Sequence, residues 1–357
     1  MFKIVHCADL HIGARCGGLS PEKALIRREE IKKSLTYIVD FCLERHADAL
    51  LICGDLFDVP APPAPDVYFV KSELERLGTV PVFIAAGNHD YLNRSSPYDG
   101  KMLGKNVAVF PGELSAFTLP DSNLRIYGRS FTSPVIEPIA AFPKADKSCV
   151  NILCLHGDID KSSDYSPAGL STVASFGADY CALGHVHSLM SFKAGNVLCI
   201  NPGIPEGHGF DDDGDTSFIY AEVSKSECRI ERVCKTVRKY ITITVDATPL
   251  QTNKNIISEL EGSVSEDNIY QIIITGALDE ASDFSRAYIE SYLSSCAFSV
   301  KVIDKTSQDA PLEVILKENS PRGLFLRELR ALCRSEEEFA EAARIGLNAL
   351  SGRETDI

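Results

Sequence analysis

Five short stretches of this 357-residue chain end in side chains that can bind a metal or move a proton. They are Asp9 and His11 in "HCADLH", Asp55 and Asp58 in "GDLFD", Asn88, His89 and Asp90 in "GNHD", His156 in "LCLHGD", and His185 and His187 in "GHVH". Five of the eight histidines fall in this set. Singly, each stretch is weak: two imidazoles at i and i+2 of a strand share a side and can simply face water, and a Gly-Asp after a strand is usually a turn. Jointly they form a mixed Asp, Asn and His donor set without a thiolate, of intermediate hardness, better suited to Mn, Fe or Zn than to calcium. Divalent ions held by such a set can make a nucleophile from water near neutral pH and offset charge on an anionic substrate.

The elements that must hold these residues can be read around them. Each cluster ends a short apolar run with strand character: "FKIVHCAD", "ADALLICGDLFD", "VPVFIAAGNHD", "CVNILCLHGD" and "ADYCALGHVH". A helix is predicted from Pro21 to His46, with Ile31, Leu35, Ile38 and Cys42 on one face, and another from Asp66 to Leu77 after the stiff "VPAPPAP" segment. Alternating strand and helix predicts a layered α/β sheet whose ligands bind beyond the carboxyl ends of the strands. His6, inside the first apolar run, reads as a packing residue.

From Lys193 the texture changes to hairpins, with Asp213-Gly214 as a turn signal. From Thr236 the order strand, helix, strand, helix, strand predicts a βαβαβ module, and two helical segments follow, "RGLFLRELRALC" and "SEEEFAEAARIGLNAL". The expected domains are therefore residues 1–235, 236–310 and a helical tail 311–357.

Composition frames this reading. At 45% apolar and 24% charged residues the chain is ordinary globular material. It lacks the ~18 consecutive apolar residues of a membrane span, and strand-like sequence from the first residues leaves no room for a signal peptide; a cytoplasmic protein without membrane association is expected. Twelve cysteines without a CxxC pattern read as reduced, mostly buried thiols. The net charge of -14 weighs against nucleic-acid binding. The run "DDDGD" is not an EF-hand loop, because its sixth position from Asp211 is Thr216 rather than Gly.

In that order and after those strands, the five clusters resemble the calcineurin-like metallophosphoesterase superfamily over about residues 1–225. Within it, "HCADLHIG", "GDLFD", "GNHD", "ADYCALGHVH" and "NPGIPEGHGFDDDGD" are similar to the SbcD-type DNA repair exonucleases, including the YhaO-like branch. The resemblance implies a layered α/β metallophosphoesterase β-sandwich flanked by helices, a small α+β capping domain and a C-terminal helical tail. It implies two divalent ions, Mn2+ first with Fe or Zn as alternatives. One would be held by Asp9, His11, Asp55 and His187, the other by Asp55, Asn88, His156 and His185. It makes His89 catalytic, with Asp58 orienting it. His208 stands where the subfamily often has arginine, and would contact phosphate. The partners implied are DNA and an SbcC-like or YhaN-like ATPase bound through the tail; a homodimer is left open.

Substrate class needs further signals. Phosphoprotein phosphatases of this superfamily carry an Arg after the second motif's final Asp, whereas Val59-Pro60 follow Asp58 here. A local basic stretch, Lys225 to Lys239, offers Arg229 and Arg232 as substrate contacts on a strand that could track a phosphate backbone. Against DNA, the expected capping domain has six Lys and Arg and eleven Asp and Glu. A small-molecule or cyclic-nucleotide phosphodiesterase therefore stays open, as does an inactive metal-binding scaffold, although an intact His89 and Asp58 weigh against the latter.

Overall fold

A computed structural model describes residues 1–98, 102–159, 164–212, 216–279, 282–308 and 312–350. The turn expected at Asp213-Gly214 lies outside the described residues. The chain divides into two compact units, Met1–Arg238 and Lys239–Ile357.

In the first unit the elements run β1 (Phe2–Cys7), α1 (Pro21–Arg45), β2 (Ala49–Cys53), α2 (Ala64–Arg76), β3 (Val82–Ala85), β4 (Val107–Val109), β5 (Ser115–Thr118), β6 (Leu124–Gly128), β7 (Val150–Cys154), α3 (Leu170–Phe176), β8 (Tyr180–Ala182), β9 (Leu189–Ala194), β10 (Val197–Pro202), β11 (Phe218–Val223) and β12 (Cys228–Val233). They form two six-stranded sheets, ordered β12-β11-β1-β2-β3-β4 and β5-β6-β7-β8-β10-β9. Strands β1 to β4 are parallel neighbours, as are β6, β7, β8 and β10.

Both faces of these strands are covered, which explains why they read as continuous apolar runs. Along β1 and β2, Val5, Cys7, Leu50 and Ile52 pack outward against Ile31, Leu35 and Ile38 of α1 and Val70 and Leu74 of α2. The alternate residues Ile4, Ala49, Leu51 and Cys53 meet Ile126, Ile152, Cys154 and Ile200 of the second sheet. Leu153, Cys181 and Cys199 face Val173 and Phe176 of α3 on the far side. The layers are thus helix, sheet, sheet, helix. All twelve cysteines are free, eight of them buried. No described helix is long and apolar enough to cross a membrane.

Helix α1 starts at the Ser20 cap and ends at His46, which has left-handed backbone and returns its N–H to Cys42 and Leu43. Helix α2 begins two residues earlier than the sequence predicts, because Pro65 is tolerated in a first turn, where its missing N–H costs nothing.

The second unit contains β13 (Tyr240–Asp246), α4 (Asn253–Glu261), β14 (Ile269–Thr275), β15 (Ala277–Leu278), α5 (Arg286–Leu293), β16 (Ser299–Asp304), β17 (Ser307–Gln308), α6 (Leu312–Ile315), α7 (Pro321–Leu332) and α8 (Glu336–Leu350). Its parallel β13-β14-β16 sheet is the predicted βαβαβ module, packed through Ile272, Ile274 and Val302 onto Ile256 and Ile289. The last three helices share a small core of Ile315, Leu326, Phe339, Ala343 and Leu347. The apolar side chains of these helices are only partly covered internally: Leu324, Leu332 and Leu350 are exposed.

His6 is buried between the sheets, with Nε2 donating to the Leu183 carbonyl at 2.8 Å and Nδ1 2.9 Å from the Tyr180 hydroxyl. Burial lowers its pKa to about 4, against the opposing pull of the Leu183 carbonyl. An unfolded histidine titrates near 6.5, so this contribution to stability is complete above that pH and is lost as pH falls from about 6.5 to 4. It amounts to about 3 kcal/mol. Urea unfolding of His6→Gln should accordingly lose about 3 kcal/mol less than the wild type between pH 7 and 4; parallel losses would contradict the assignment.

Candidate metal centre

The polar clusters lie at the carboxyl ends of β1, β2, β3, β7 and β8, where parallel strands of both sheets open onto one edge. Beyond β1 and β2 the chains keep pairing as irregular loops: Asp9 N–H donates to Gly54, His11 N–H to Asp55, Ile12 N–H to Leu56, and Asp58 N–H back to Ile12. This ladder delivers Asp9, His11, Asp55 and Asp58 side by side. It also bends the backbone into left-handed conformations at Asp9 (φ +54°), His11 (+44°) and Asp55 (+50°), with His185 at +91°. Such conformations cost about 1–3 kcal/mol each in non-glycine residues and persist where the surroundings enforce them. Gly54 lies so close to the opposite sheet that a Cβ would sit 2.1 Å from His156 Nδ1, and one at Gly87 would sit 2.2 Å from Asp55 Oδ1.

Among the described residues four groups of three metal-capable side chains gather here, and two of them fall within the expected ligand sets. Asp9, His11 and His187 bring one ligand atom each to within 4.8 Å of one another, and Asp55, His156 and His185 do the same. Asp55 Oδ2 faces both groups, 3.3 Å from His156 Nε2 and 3.8 Å from His11 Nε2, while Oδ1 accepts the His89 N–H at 2.9 Å. Asn88 joins the second group, its Oδ1 lying 3.0 Å from His156 Nε2 and 3.2 Å from His185 Nδ1. The Asp9 carboxylate accepts the His185 N–H.

The imidazoles are oriented for ligation. His156 Nδ1 donates to the Cys53 carbonyl at 2.8 Å and His11 Nδ1 lies 3.1 Å from Asp58 Oδ1, which turns each Nε2 into the cluster, where loss of its proton would free a lone pair for a cation. His11 Nε2 is buried without a hydrogen-bond partner. An orphaned buried nitrogen beside buried carboxylates fits a divalent cation, and the donor set is the borderline one.

Electrostatics point the same way. Burial disfavours the Asp55 anion, but His156, His11 and His89 outweigh it and hold the carboxyl well below the usual range. Burial raises Asp9. For His156, burial opposes protonation, yet Asp55 and Asp9 push it up to about 10, and His11 is raised by Asp58, Asp55 and Asp9 in the same way. Burial and the nearby His156 lower His185 to about 4. The carboxylates thus demand positive charge.

The remaining predicted residues divide. His89 is exposed at the mouth, its ring edge-to-face with His11 at 4.7 Å. Asp58, expected to orient His89, lies between it and His11: the three bring one ligand atom each to within 4.8 Å of one another, Asp58 Oδ1 is 3.1 Å from His11 Nδ1, and His89 Nδ1 is 3.3 Å from the Asp58 main-chain carbonyl. His208 lies 5.1 Å from His11 and 6.2 Å from His187, ring to ring, its Nε2 buried and its pKa lowered to about 3 by burial and then by His11.

Arg229 and Arg232 are not brought to the cluster. Arg229 pairs with Glu227 and sits in register with Glu222, which is opposite Lys3 at the far end of β1. Arg232 is level with Ile219 and His6 but two strands away, roughly 10 Å by strand spacing. Acids or rings engage most of the expected basic track: Lys225 with Asp179, Arg238 with Glu30, and Lys235 over the Tyr37 ring.

Beside Asp90 of the GNHD cluster, two residues at the site were not anticipated, Tyr165 and Asp212. Asp90 is fully buried and joins two loops by accepting from Gly87 N–H, Phe57 N–H and the Tyr98 hydroxyl. Tyr165 lays its ring against His185, centroids 4.8 Å apart. Asp212, in the acidic run set aside as a calcium loop, accepts from His187 Nδ1 at 2.6 Å.

Residues 2–189 match the family model for calcineurin-like phosphoesterases, and the chain belongs to that family. It is 28% identical over 242 residues to the metallophosphoesterase YhaO of Bacillus subtilis strain 168, covering 64% of this chain and 59% of YhaO. It is 29% identical over 210 residues to the DNA double-strand break repair protein Mre11 of Aeropyrum pernix, covering 53% and 49%, and 24% identical over 352 residues to that of Methanosarcina mazei, covering 92% and 54%. The chain spans about half to three-fifths of the length of these relatives.

Because the raised imidazoles must shed protons before they can bind a cation, metal affinity should rise with pH, by about tenfold per unit for each proton displaced. Calorimetric titration with Mn2+ in buffers of different ionisation enthalpy should record proton release, with tighter binding at pH 8 than at pH 6. Binding independent of pH would contradict this electrostatic account.

Proposed function

We propose that this chain is a two-metal phosphodiesterase acting as the nuclease subunit of a DNA repair complex. The observation that carries the phosphodiesterase reading is Asp55 Oδ2 facing both donor groups, one made by Asp9, His11 and His187 and the other by Asn88, His156 and His185. Ions held there would activate water and offset charge on a phosphate; the borderline donors favour Mn2+, with Fe or Zn next.

The chain's own residues supply the rest. His89 turns Nδ1 to the Asp58 carbonyl and leaves Nε2 outward at an exposed position, where its protonated form can hand a proton to a leaving oxygen. Asp58 then acts through His11, fixing its tautomer. His208 extends the rim on the His11 side, beside the path a phosphate would take. DNA as substrate is supported by likeness to relatives named for double-strand break repair. An SbcC-like or YhaN-like ATPase is supported by the earlier resemblance and by Leu324 and Leu332, exposed on α7. A cytoplasmic location accords with this role.

The acid-paired basic stretch favours a second reading, a phosphodiesterase of small diesters, because Lys225, Arg229 and Arg238 are not free to track a backbone.

Assay with Mn2+ on labelled DNA, bis-p-nitrophenyl phosphate and cyclic nucleotides separates the two. The expected result is DNA cleavage that His89→Ala reduces by about 10²–10⁴-fold without loss of bound metal. Hydrolysis of small diesters alone, even with the ATPase added, would establish the second reading, and no hydrolysis of any substrate by the metal-loaded chain would contradict both.

A further inference from the structure

His187, like His11 of the same donor group, is held through Nδ1 by a carboxylate. Its Nδ1 meets a carboxylate 25 positions further along the chain, Asp212 Oδ1, at 2.6 Å. That distance is a charge-assisted hydrogen bond, with His187 Nδ1–H the donor and Asp212 Oδ1 the acceptor. The other oxygen of Asp212 is also committed: Oδ2 accepts the main-chain N–H groups of His208 at 2.5 Å and Gly209 at 3.0 Å. Asp212 is buried.

The loop presenting this carboxylate is itself anchored. Arg27, fully buried in α1, donates to the Gly207 carbonyl at 2.7 Å and pairs with Glu206 at 2.6 Å and Glu30 at 3.0 Å. Glu206 in turn accepts the N–H groups of Val237 and Arg238.

We infer that Asp212 is a positioning residue for the metal centre: it fixes His187 as the Nδ1–H tautomer, so that Nε2 presents its lone pair to the ion shared with Asp9 and His11. The inference rests on the two-metal reading above. Both Asp212 oxygens are needed, one for His187 and one for the two backbone donors, and an asparagine cannot replace them. Its single oxygen is claimed by the two N–H groups, which turns the amide NH2 toward His187 Nδ1. The imidazole must then accept there and carry its proton on Nε2, which removes the ligand lone pair. A glutamate keeps two acceptors and keeps the tautomer.

The test uses the full chain labelled with 15N-histidine, comparing wild type, D212N, D212E and H187Q, the last to identify the His187 signal. Nitrogen shifts of the metal-free protein report the tautomer, and equilibrium dialysis against Mn2+ counts ions and their affinities. The expected result is Nδ1–H for His187 in wild type and D212E, and Nε2–H in D212N, with one ion bound by D212N as in wild type and the other weakened by about 10–100-fold. D212E should bind both within a few-fold. If wild type binds two ions and D212N binds both equally well with His187 still Nδ1–H, the inference fails alone. If wild type binds fewer than two ions, the two-metal reading fails and takes the inference with it. If D212N does not fold, D212E decides: an Nε2–H His187 in that variant overturns the inference.

Discussion

Two carboxylates buried side by side set the terms for the rest of this site. Asp9 is wholly inaccessible and Asp55 nearly so, and an anion taken from water into such surroundings costs several kcal/mol unless positive charge or hydrogen-bond donors meet it. The fold answers with N–H groups of His89 and His185 and with the imidazoles of His156 and His11. A cation between the donor groups would complete that compensation, and the orphaned His11 Nε2 lies on the side where it would be received.

The sandwich makes this burial feasible. Parallel strands end at one edge, so short loops from both sheets converge without long excursions. The β1 and β2 loops continue their pairing beyond the sheet, and the cost of the left-handed residues Asp9, His11, Asp55 and His185 is offset by the apolar layers packed around the strands they follow. The same ladder sets the Asp58 carboxylate beside His11.

Much of this was legible in the sequence because the signals are local. Asp9, Asp55, Asn88, His156 and His187 each follow an apolar run, and a strand that ends in a polar group places it at a sheet edge. The βαβαβ module shows the same clarity, since its periods are intact. Other features depend on pairings that no local pattern records. Asp212 belongs to an acidic run, and only the return of the loop after β10 brings it to His187. Arg229 is basic in sequence but meets Glu227 in space, so a charge count over the stretch overstates what a phosphate would encounter. Strand β4 has only three residues, all half-buried, and β5 is exposed on alternate residues, so neither announces itself.

One carboxylate oxygen, Asp55 Oδ2, faces both donor groups and would lie between two metal ions. Anomalous diffraction from crystals grown with Mn2+ should show two peaks roughly 3.5–4 Å apart, one bounded by Asp9, His11 and His187 and the other by Asn88, His156 and His185, with Asp55 between them. A single peak, or two peaks that do not share Asp55, would contradict that placement.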